Sequence, residues 1–149
     1  MVNADGQSEI LLSKPVVAIV DDNESIREAV EGLLRSIGCR AESFASAEEF
    51  LATGWMMEID CVILDLKLGG MDGLALQRRL LETDRLLPII FITAHWNETA
   101  RAEALRLGAV DFLSKPCSET ALLQAIDGAL KAGWRRAPEE NKSTGIGRS

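Results

Sequence analysis

The chain has few cysteines, and their placement limits what they can do. Cys39, Cys61 and Cys117 are odd in number, widely spaced and set among apolar residues. This pattern does not favour a disulfide framework or a zinc site, and it predicts buried, reduced thiols. Any metal that the protein binds is therefore expected to use oxygen ligands.

Long apolar runs and an excess of positive charge are also missing. No run approaches the roughly 20 apolar residues of a membrane-spanning helix, and residues 1–15 lack the features of a signal peptide. We therefore expect a cytoplasmic protein. A net charge of -7 argues against direct binding to DNA or RNA, since such proteins normally present a basic face. No glycine-rich loop suited to nucleotide or flavin phosphates follows the first apolar run.

What the sequence does contain is a series of short apolar runs, each followed by a helical pattern. Runs of this kind are typical of parallel strands that are buried on both faces. They predict strands at residues 16–20, 40–44, 61–64, 89–92 and 112–113. The fold class is therefore α/β: one domain with a five-stranded parallel sheet, doubly wound by five βα units.

Capping residues and apolar stripes mark the predicted helices. Asn97 and Ser118 are expected to begin the last two helices, Ser46 and Glu49 form a candidate capping box, and Gly38 ends the first helix. A third helix is predicted over residues 73–82, and the fourth runs to residue 107. The first helix has a predicted buried face of Ile26, Val30, Leu33, Leu34 and Ile37. The last helix has a stripe of Leu122, Ile126, Ala129 and Leu130.

Polar side chains stand where the predicted strands end. Asp21 and Asp22 follow the first strand, Asp65 the third, Thr93 the fourth and Lys115 the fifth. Ligands of open α/β sheets bind beyond the carboxyl ends of the strands, so these side chains should converge. Three carboxylates in one crevice repel one another unless a cation such as Mg²⁺ or Mn²⁺ neutralises them. One aspartate is then a candidate phosphoryl acceptor that forms an acyl phosphate.

Each of these residues also has a simpler interpretation. Asp22 or Asn23 could only cap the first helix, Thr93 could only favour a strand, and Lys115 could be a solvated turn lysine. Taken singly, the simpler interpretation is favoured for each residue. Their placement together at strand ends favours a shared functional site.

The roles of three neighbouring residues are left open. His95 either tunes the access of water to an acyl phosphate or lies on the rim of the site. Lys67 either acts on phosphate or is a solvated loop lysine. Trp96 is either an exposed partner contact or a half-buried packing residue.

Four strings in order, VAIVDDN, VILDLKLGGMDG, IIFITAH and GAVDFLSKP, carry a resemblance to a known family. They resemble the receiver domain of two-component response regulators, in particular the receivers of nitrogen-fixation-type regulators. The resemblance covers residues 15–131 and implies the flavodoxin-like receiver topology. Residues 1–14 and 132–149 are expected to be flexible segments on either side, because the latter are rich in poor core formers.

The resemblance implies a role for each site residue. Asp65 would be the phosphoacceptor, and Mg²⁺ would be bound directly by Asp22, Asp65 and the carbonyl of Lys67. Asp21 would assist indirectly, for example through a water molecule. The phosphoryl donor would be a sensor histidine kinase or a phosphotransfer protein. Such a protein accepts and hydrolyses its own phosphoryl group and is not a turnover enzyme.

The resemblance also implies a switch. Thr93 and Lys115 would contact the phosphoryl group, and Thr93 would be coupled to Phe112. Movement of Phe112 would alter a surface formed by the fourth helix, the fifth strand and the fifth helix. That surface would bind a downstream protein target, and the family also uses it to form homodimers.

Two departures from the family pattern affect expectations. Gly69 stands where the family usually has proline, so the loop after Asp65 is expected to be looser. Cys117 replaces a common phenylalanine after the Lys115-Pro116 bond, which the resemblance implies is cis.

Different classes of function stay open at this point. Residues 132–149 are too few for a helix-turn-helix output domain, which favours a stand-alone receiver, although a fragment of a longer regulator would look the same. A scaffold that binds proteins without phosphorylation is the alternative. A haloacid-dehalogenase-like phosphatase is disfavoured, because Lys67 occupies the position of its general acid.

Overall fold

The computed structural model describes residues 14–54, 58–83 and 86–146, with the side chains of the last helix described up to residue 132. Strands and helices alternate along this part of the chain. The strands are β1 (Val16–Val20), β2 (Arg40–Phe44), β3 (Cys61–Asp65), β4 (Ile89–Thr93) and β5 (Asp111–Ser114). The helices are α1 (Glu24–Ser36), α2 (Ala47–Thr53), α3 (Gly73–Leu81), α4 (Glu98–Arg106) and α5 (Glu119–Ile146).

The five strands form one parallel sheet in the order β2-β1-β3-β4-β5. This confirms the predicted α/β class and the doubly wound (βα)5 arrangement. The strand order reverses between β1 and β3, so the helices that follow these strands cover opposite faces of the sheet. A crevice for ligands is expected beyond the carboxyl ends of strands at such a reversal.

Two apolar layers, one on each face, hold the sheet between the helices. Ala18 and Val20 of β1 point into the layer shared with α2, α3 and α4. Val17 and Ile19 point the other way, into the layer shared with α1 and α5. Because successive strand residues face opposite sides, a strand in the middle of the sheet is apolar at nearly every position. The central strands β3 and β4 are accordingly buried along their whole length.

Side-chain caps begin the helices as predicted. The predicted capping residues accept hydrogen bonds from amides of the first turn: Asn23, Ser46, Asn97 and Ser118. Each such cap stabilises a helix by about 1 kcal/mol. Asp72 caps α3 in the same way and was not predicted. Glu49 accepts from the amide of Ala45 rather than from the cap residue, so the predicted capping box is displaced by one residue.

One detail of the first helix differs from its prediction. Ile37 was assigned to the buried face of α1, but it is 44% exposed, because α1 ends at Ser36 and Ile37 takes a non-helical conformation. The backbone of α5 is helical to Ile146, and the flexibility expected for residues 132–149 stays a prediction.

The predictions on the N-terminal segment, membrane spans and cysteines have different outcomes. The predicted flexible segment 1–14 lies, except for its last residue, outside the described residues. Among the described residues, no helix combines the length and apolar character needed to span a membrane. Cys39 and Cys61 are buried free thiols as predicted, whereas Cys117 is only half-buried. Burial raises the pKa of the Cys61 thiol to about 12, which keeps it protonated.

Candidate functional site

The polar residues at the strand ends meet at one edge of the sheet. Asp21 follows β1, Asp65 is the last residue of β3, and Lys115 follows β5. Asp21 and Asp65 are only 1% and 6% exposed, whereas Asp22 is exposed at the surface. The sheet therefore carries two buried carboxylates and one exposed carboxylate to the point where the strand order reverses.

Lys115 links the two buried carboxylates. Its Nζ donates to Oδ2 of Asp21 at 2.8 Å and to Oδ2 of Asp65 at 3.3 Å. The Lys115 side chain is 16% exposed, so both ion pairs are shielded from solvent. Counting Asp22, three carboxylates face one ammonium group, which leaves the site with a net charge of about −2.

The pKa values of Asp65 and Lys115 are both raised in this cluster. Burial, followed by the negative charge of Asp21, raises the pKa of Asp65, although Lys115 partly offsets the effect. Burial alone would lower the pKa of Lys115, but its hydrogen bond to Asp21 and the charges of both aspartates raise it overall. Lys115 is therefore firmly protonated, and Asp65 carries a charge that its surroundings do not fully stabilise.

The three aspartates also fit a divalent cation. Ligand oxygens of Asp21, Asp22 and Asp65 lie within 4.8 Å of one another. Both oxygens of Asp21 already accept hydrogen bonds, from Lys115 and from the amide of Asn23 at 2.9 Å. Within the described part of the chain, no hydrogen bond engages the exposed carboxylate of Asp22. An all-oxygen, excess-negative set of this kind suits Mg²⁺ or Mn²⁺ better than a soft metal.

An open cleft of about 380 Å³ gives access to these groups. Its walls include the exposed side chains of Lys67 and His95, which lie on the rim. The amide of Lys67 donates to Oδ1 of Asp65 at 3.3 Å. The remaining lining residues are Asp21, Asp22, Asn23, Leu68, Ala94 and Lys115.

Thr93 and Phe112 do not line this cleft. Thr93 is fully buried at the end of β4, where its Oγ1 accepts the amide of His95 at 2.9 Å. Phe112 is 4% exposed, and its ring centroid lies 5.6 Å from that of Phe91 in the core. The two predicted switch residues therefore lie behind the wall of the cleft, in the adjacent strands β4 and β5.

Trp96 extends the aromatic contacts to the surface. Its ring packs edge-on against Phe112 with a centroid distance of 5.3 Å, while half of the side chain stays exposed. Trp96 is therefore a half-buried packing residue, as one of its two interpretations held, and its contact with a partner stays a prediction. Phe91, Phe112 and Trp96 form a row of rings that leads from the core to the surface beside α4.

Two contacts near the site were not predicted. Arg27 of α1 donates from Nη1 to the backbone oxygen of Asp21 at 2.8 Å. Glu48 of α2 accepts the amide of Met71, in the loop that follows Asp65, at 2.9 Å. In the sequence, a charged helix residue that binds a backbone group cannot be distinguished from one that is only solvated. Neither contact could therefore be predicted. The Lys115-Pro116 bond is cis, as the resemblance implied.

Comparisons with known proteins agree with this geometry. The model of the response regulator receiver domain family matches residues 17–127. The response regulator protein TmoT of Ectopseudomonas mendocina is 38% identical over 93% of the chain, and TodT of Pseudomonas putida is 43% identical over 78%. The crystal structure of FixJ-N is 33% identical and superimposes with a TM-score of 0.74, covering 80% of this chain and 96% of that one.

The chain therefore belongs to the response regulator receiver domain family of two-component systems. The likeness to nitrogen-fixation-type regulators predicted from sequence is confirmed, since FixJ-N is among its structural neighbours. Members of this family are signalling proteins rather than enzymes that turn over external substrates. The chain spans 61% of the length of TmoT and 51% of the length of TodT.

Proposed function

We propose that this protein is a phosphorylation switch in which Asp65 accepts a phosphoryl group in the presence of Mg²⁺. The observation that carries the proposal is the Lys115 ammonium group, held between the buried carboxylates of Asp21 and Asp65. A lysine in this position can move from a carboxylate to a phosphoryl oxygen without leaving the site. The same cluster provides a nucleophile, a positive charge and a set of metal ligands.

The donor is a phosphohistidine of a sensor histidine kinase or a phosphotransfer protein. A carboxylate oxygen of Asp65 attacks phosphorus, the P–O bond forms, and the P–N bond breaks. The electron pair of that bond stays with the imidazole of the donor. Asp65 reacts as the ionised carboxylate.

The charge that develops on the transferring group is balanced by Lys115 and by a metal. When bound, Mg²⁺ offsets negative charge on the phosphoryl oxygens and reduces repulsion from the carboxylates. Asp22, Asp65 and the carbonyl of Lys67 would hold it directly. Asp21 would act indirectly, which suits a carboxylate whose two oxygens already accept hydrogen bonds.

The response passes through Thr93 and Phe112. When Asp65 carries a phosphoryl group, the Thr93 hydroxyl donates to one of its oxygens and rearranges its contact with the His95 amide. The movement reaches Phe112 in the neighbouring strand and then the surface formed by α4, β5 and α5. That surface binds a downstream protein or a second copy of the chain, with an affinity that depends on phosphorylation.

The test is the mass of the intact protein after incubation with Mg²⁺ and a small acyl-phosphate donor. We expect one phosphoryl adduct that is lost in Asp65→Asn and after addition of a metal chelator. An adduct that survives in Asp65→Asn would place the acceptor elsewhere. No adduct from the small donor or from a panel of phosphorylated kinases would favour the alternative, a receiver-fold scaffold that binds proteins without phosphorylation.

A further inference from the structure

The loop between β3 and α3 carries the Lys67 carbonyl, and it has little to hold its middle section. Leu68 is buried, but Lys67, Gly69 and Gly70 are exposed. Two consecutive glycines lose more conformational freedom on ordering than any other pair of residues. A loop of this composition needs an external contact if its backbone groups are to stay in one place.

Both ends of this loop are closely fixed. The Gly73 amide donates to the oxygen of Leu66 at 2.9 Å. A Cβ atom at Gly73 would lie 2.4 Å from the backbone oxygen of Asp65, so α3 begins directly against the end of β3. These contacts fix the start and the end of the loop, but they do not reach its glycines.

Glu48 provides a contact after the two glycines. It lies in the first turn of α2, and its Oε2 accepts the amide of Met71 at 2.9 Å. This hydrogen bond is the main cause of the lowered pKa of Glu48, so the acceptor is a carboxylate at neutral pH. Carboxylate acceptors form stronger hydrogen bonds than neutral ones.

Gly70 brings the loop close to this carboxylate. It has a positive φ of 79°, which other residues rarely adopt. A Cβ atom at Gly70 would lie 2.8 Å from Oε2 of Glu48, closer than normal packing allows. The glycine therefore permits both the turn and the close approach of the loop to Glu48. The carboxylate of Glu48 contacts the backbone of residues 70 and 71.

We infer that Glu48 is a positioning residue for the metal site. It holds residues 70 and 71 of the β3–α3 loop and so limits, through the two glycines, the positions available to the carbonyl of Lys67. The inference rests on the proposed function, because that function assigns the carbonyl to Mg²⁺. Glu48 does not touch the metal or the phosphoryl group, and it acts only through the loop.

The test compares Glu48→Ala and Glu48→Gln with Glu49→Ala as a matched control. Glu49 lies on the same helix and accepts a different amide, that of Ala45, so its removal disturbs α2 without releasing the loop. Hydrogen exchange of the Met71 amide is measured in the metal-free protein. The dissociation constant of Mg²⁺ alone is measured by calorimetric titration of the same proteins.

We expect Glu48→Ala to speed exchange at Met71 and to weaken Mg²⁺ binding, each by about fivefold, the factor that one ordinary hydrogen bond contributes. Glu48→Gln keeps a neutral acceptor and should fall between Glu48→Ala and the wild type. Glu49→Ala should leave both quantities close to those of the wild type.

The inference is overturned if Glu48→Ala matches Glu49→Ala in both measurements. It is also overturned if exchange at Met71 increases while Mg²⁺ affinity stays unchanged, since the loop contact then has no effect on the metal site. A wild-type protein that binds no Mg²⁺ would overturn the metal dependence of the proposed function. The exchange measurement would in that case still show whether Glu48 fastens the loop.

Discussion

The two sides of the site are held together by different forces. On the acceptor side, Asp21, Asp65 and Lys115 are buried charges joined by hydrogen bonds of 2.8 and 3.3 Å. On the response side, Phe112 and Trp96 are joined by ring packing. Loss of one partner from a buried ion pair costs several kcal/mol, whereas loss of one ring contact costs about 1 kcal/mol. Phosphoryl chemistry and its transmission should therefore be separable by mutation.

Removal of Lys115 should give the largest effect, because it leaves two buried carboxylates without a counter-charge. We expect Lys115→Met to lower the free energy of unfolding by about 3 kcal/mol in metal-free buffer. Phosphoryl incorporation should also fall to a small fraction of the wild-type level. Urea denaturation and intact-protein mass measure the two effects.

Lys131→Met is the matched control, since Lys131 forms an exposed ion pair with Asp127 at 3.0 Å. An exposed pair of this kind contributes about 0.5 kcal/mol or less. If Lys115→Met and Lys131→Met lost equal stability, the buried ion pairs of Lys115 would contribute no more than the exposed pair of Lys131, contrary to our expectation.

The charge on Asp65 should destabilise the metal-free protein at neutral pH. Burial, and then the charge of Asp21, raises its folded-state pKa above the ordinary value of 3.8. The folded state therefore binds the proton more tightly, and stability is lost as pH rises through the folded-state pKa. We expect Asp65→Asn to be more stable than the wild type at pH 7, with a difference that shrinks below pH 3.8.

Urea denaturation of both proteins between acid and neutral pH, in chelator, measures this difference. Addition of Mg²⁺ should then stabilise the wild type more than Asp65→Asn, since a ligand that binds only the folded state stabilises it. A variant that is less stable than the wild type at every pH would show that the Lys115 contact outweighs burial.

The response side should fail with less loss of the chemistry than the acceptor side. Thr93→Val keeps the shape of the side chain but removes the hydroxyl that accepts the His95 amide. We expect a loss of about 1 kcal/mol in stability and a decrease in phosphoryl incorporation that is smaller than the decrease in Lys115→Met. The change in hydrogen exchange of α4 on phosphorylation should be strongly reduced. An unchanged α4 response would mean that the signal bypasses Thr93.

The strands could be predicted closely because parallel strands leave a plain apolar signal. β1 and β2 have the predicted bounds, and β3 and β4 each extend one residue further, to Asp65 and Thr93. These polar residues broke the apolar pattern, yet Asp65 still pairs with Ile92 in the ladder. The convergence of Asp21, Asp65 and Lys115 was predictable for the same reason, since parallel strands end at a common edge.

The supporting contacts could not be predicted in this way. The bond from Glu48 to Met71 joins residues 23 positions apart, and it depends on where α2 packs. The contact of Arg27 with the Asp21 oxygen depends on where α1 packs against the sheet. Local patterns report which side of a helix is buried, but they carry no information on which backbone group a charged side chain will reach.

The contact between Trp96 and Phe112 should give the smallest effect. An edge-to-face ring pair contributes about 1 kcal/mol beyond the area that it buries, so Trp96→Ala should lose about this much more stability than a substitution that removes only buried area. Leu86→Ala is the control, because Leu86 is exposed to nearly the same degree, 52% against 50%, and has no ring. Thermal or urea denaturation of both variants measures the difference. If Trp96→Ala cost no more than Leu86→Ala, the ring contact would not stabilise the buried position of Phe112, and the row of rings would lose its proposed role in transmission.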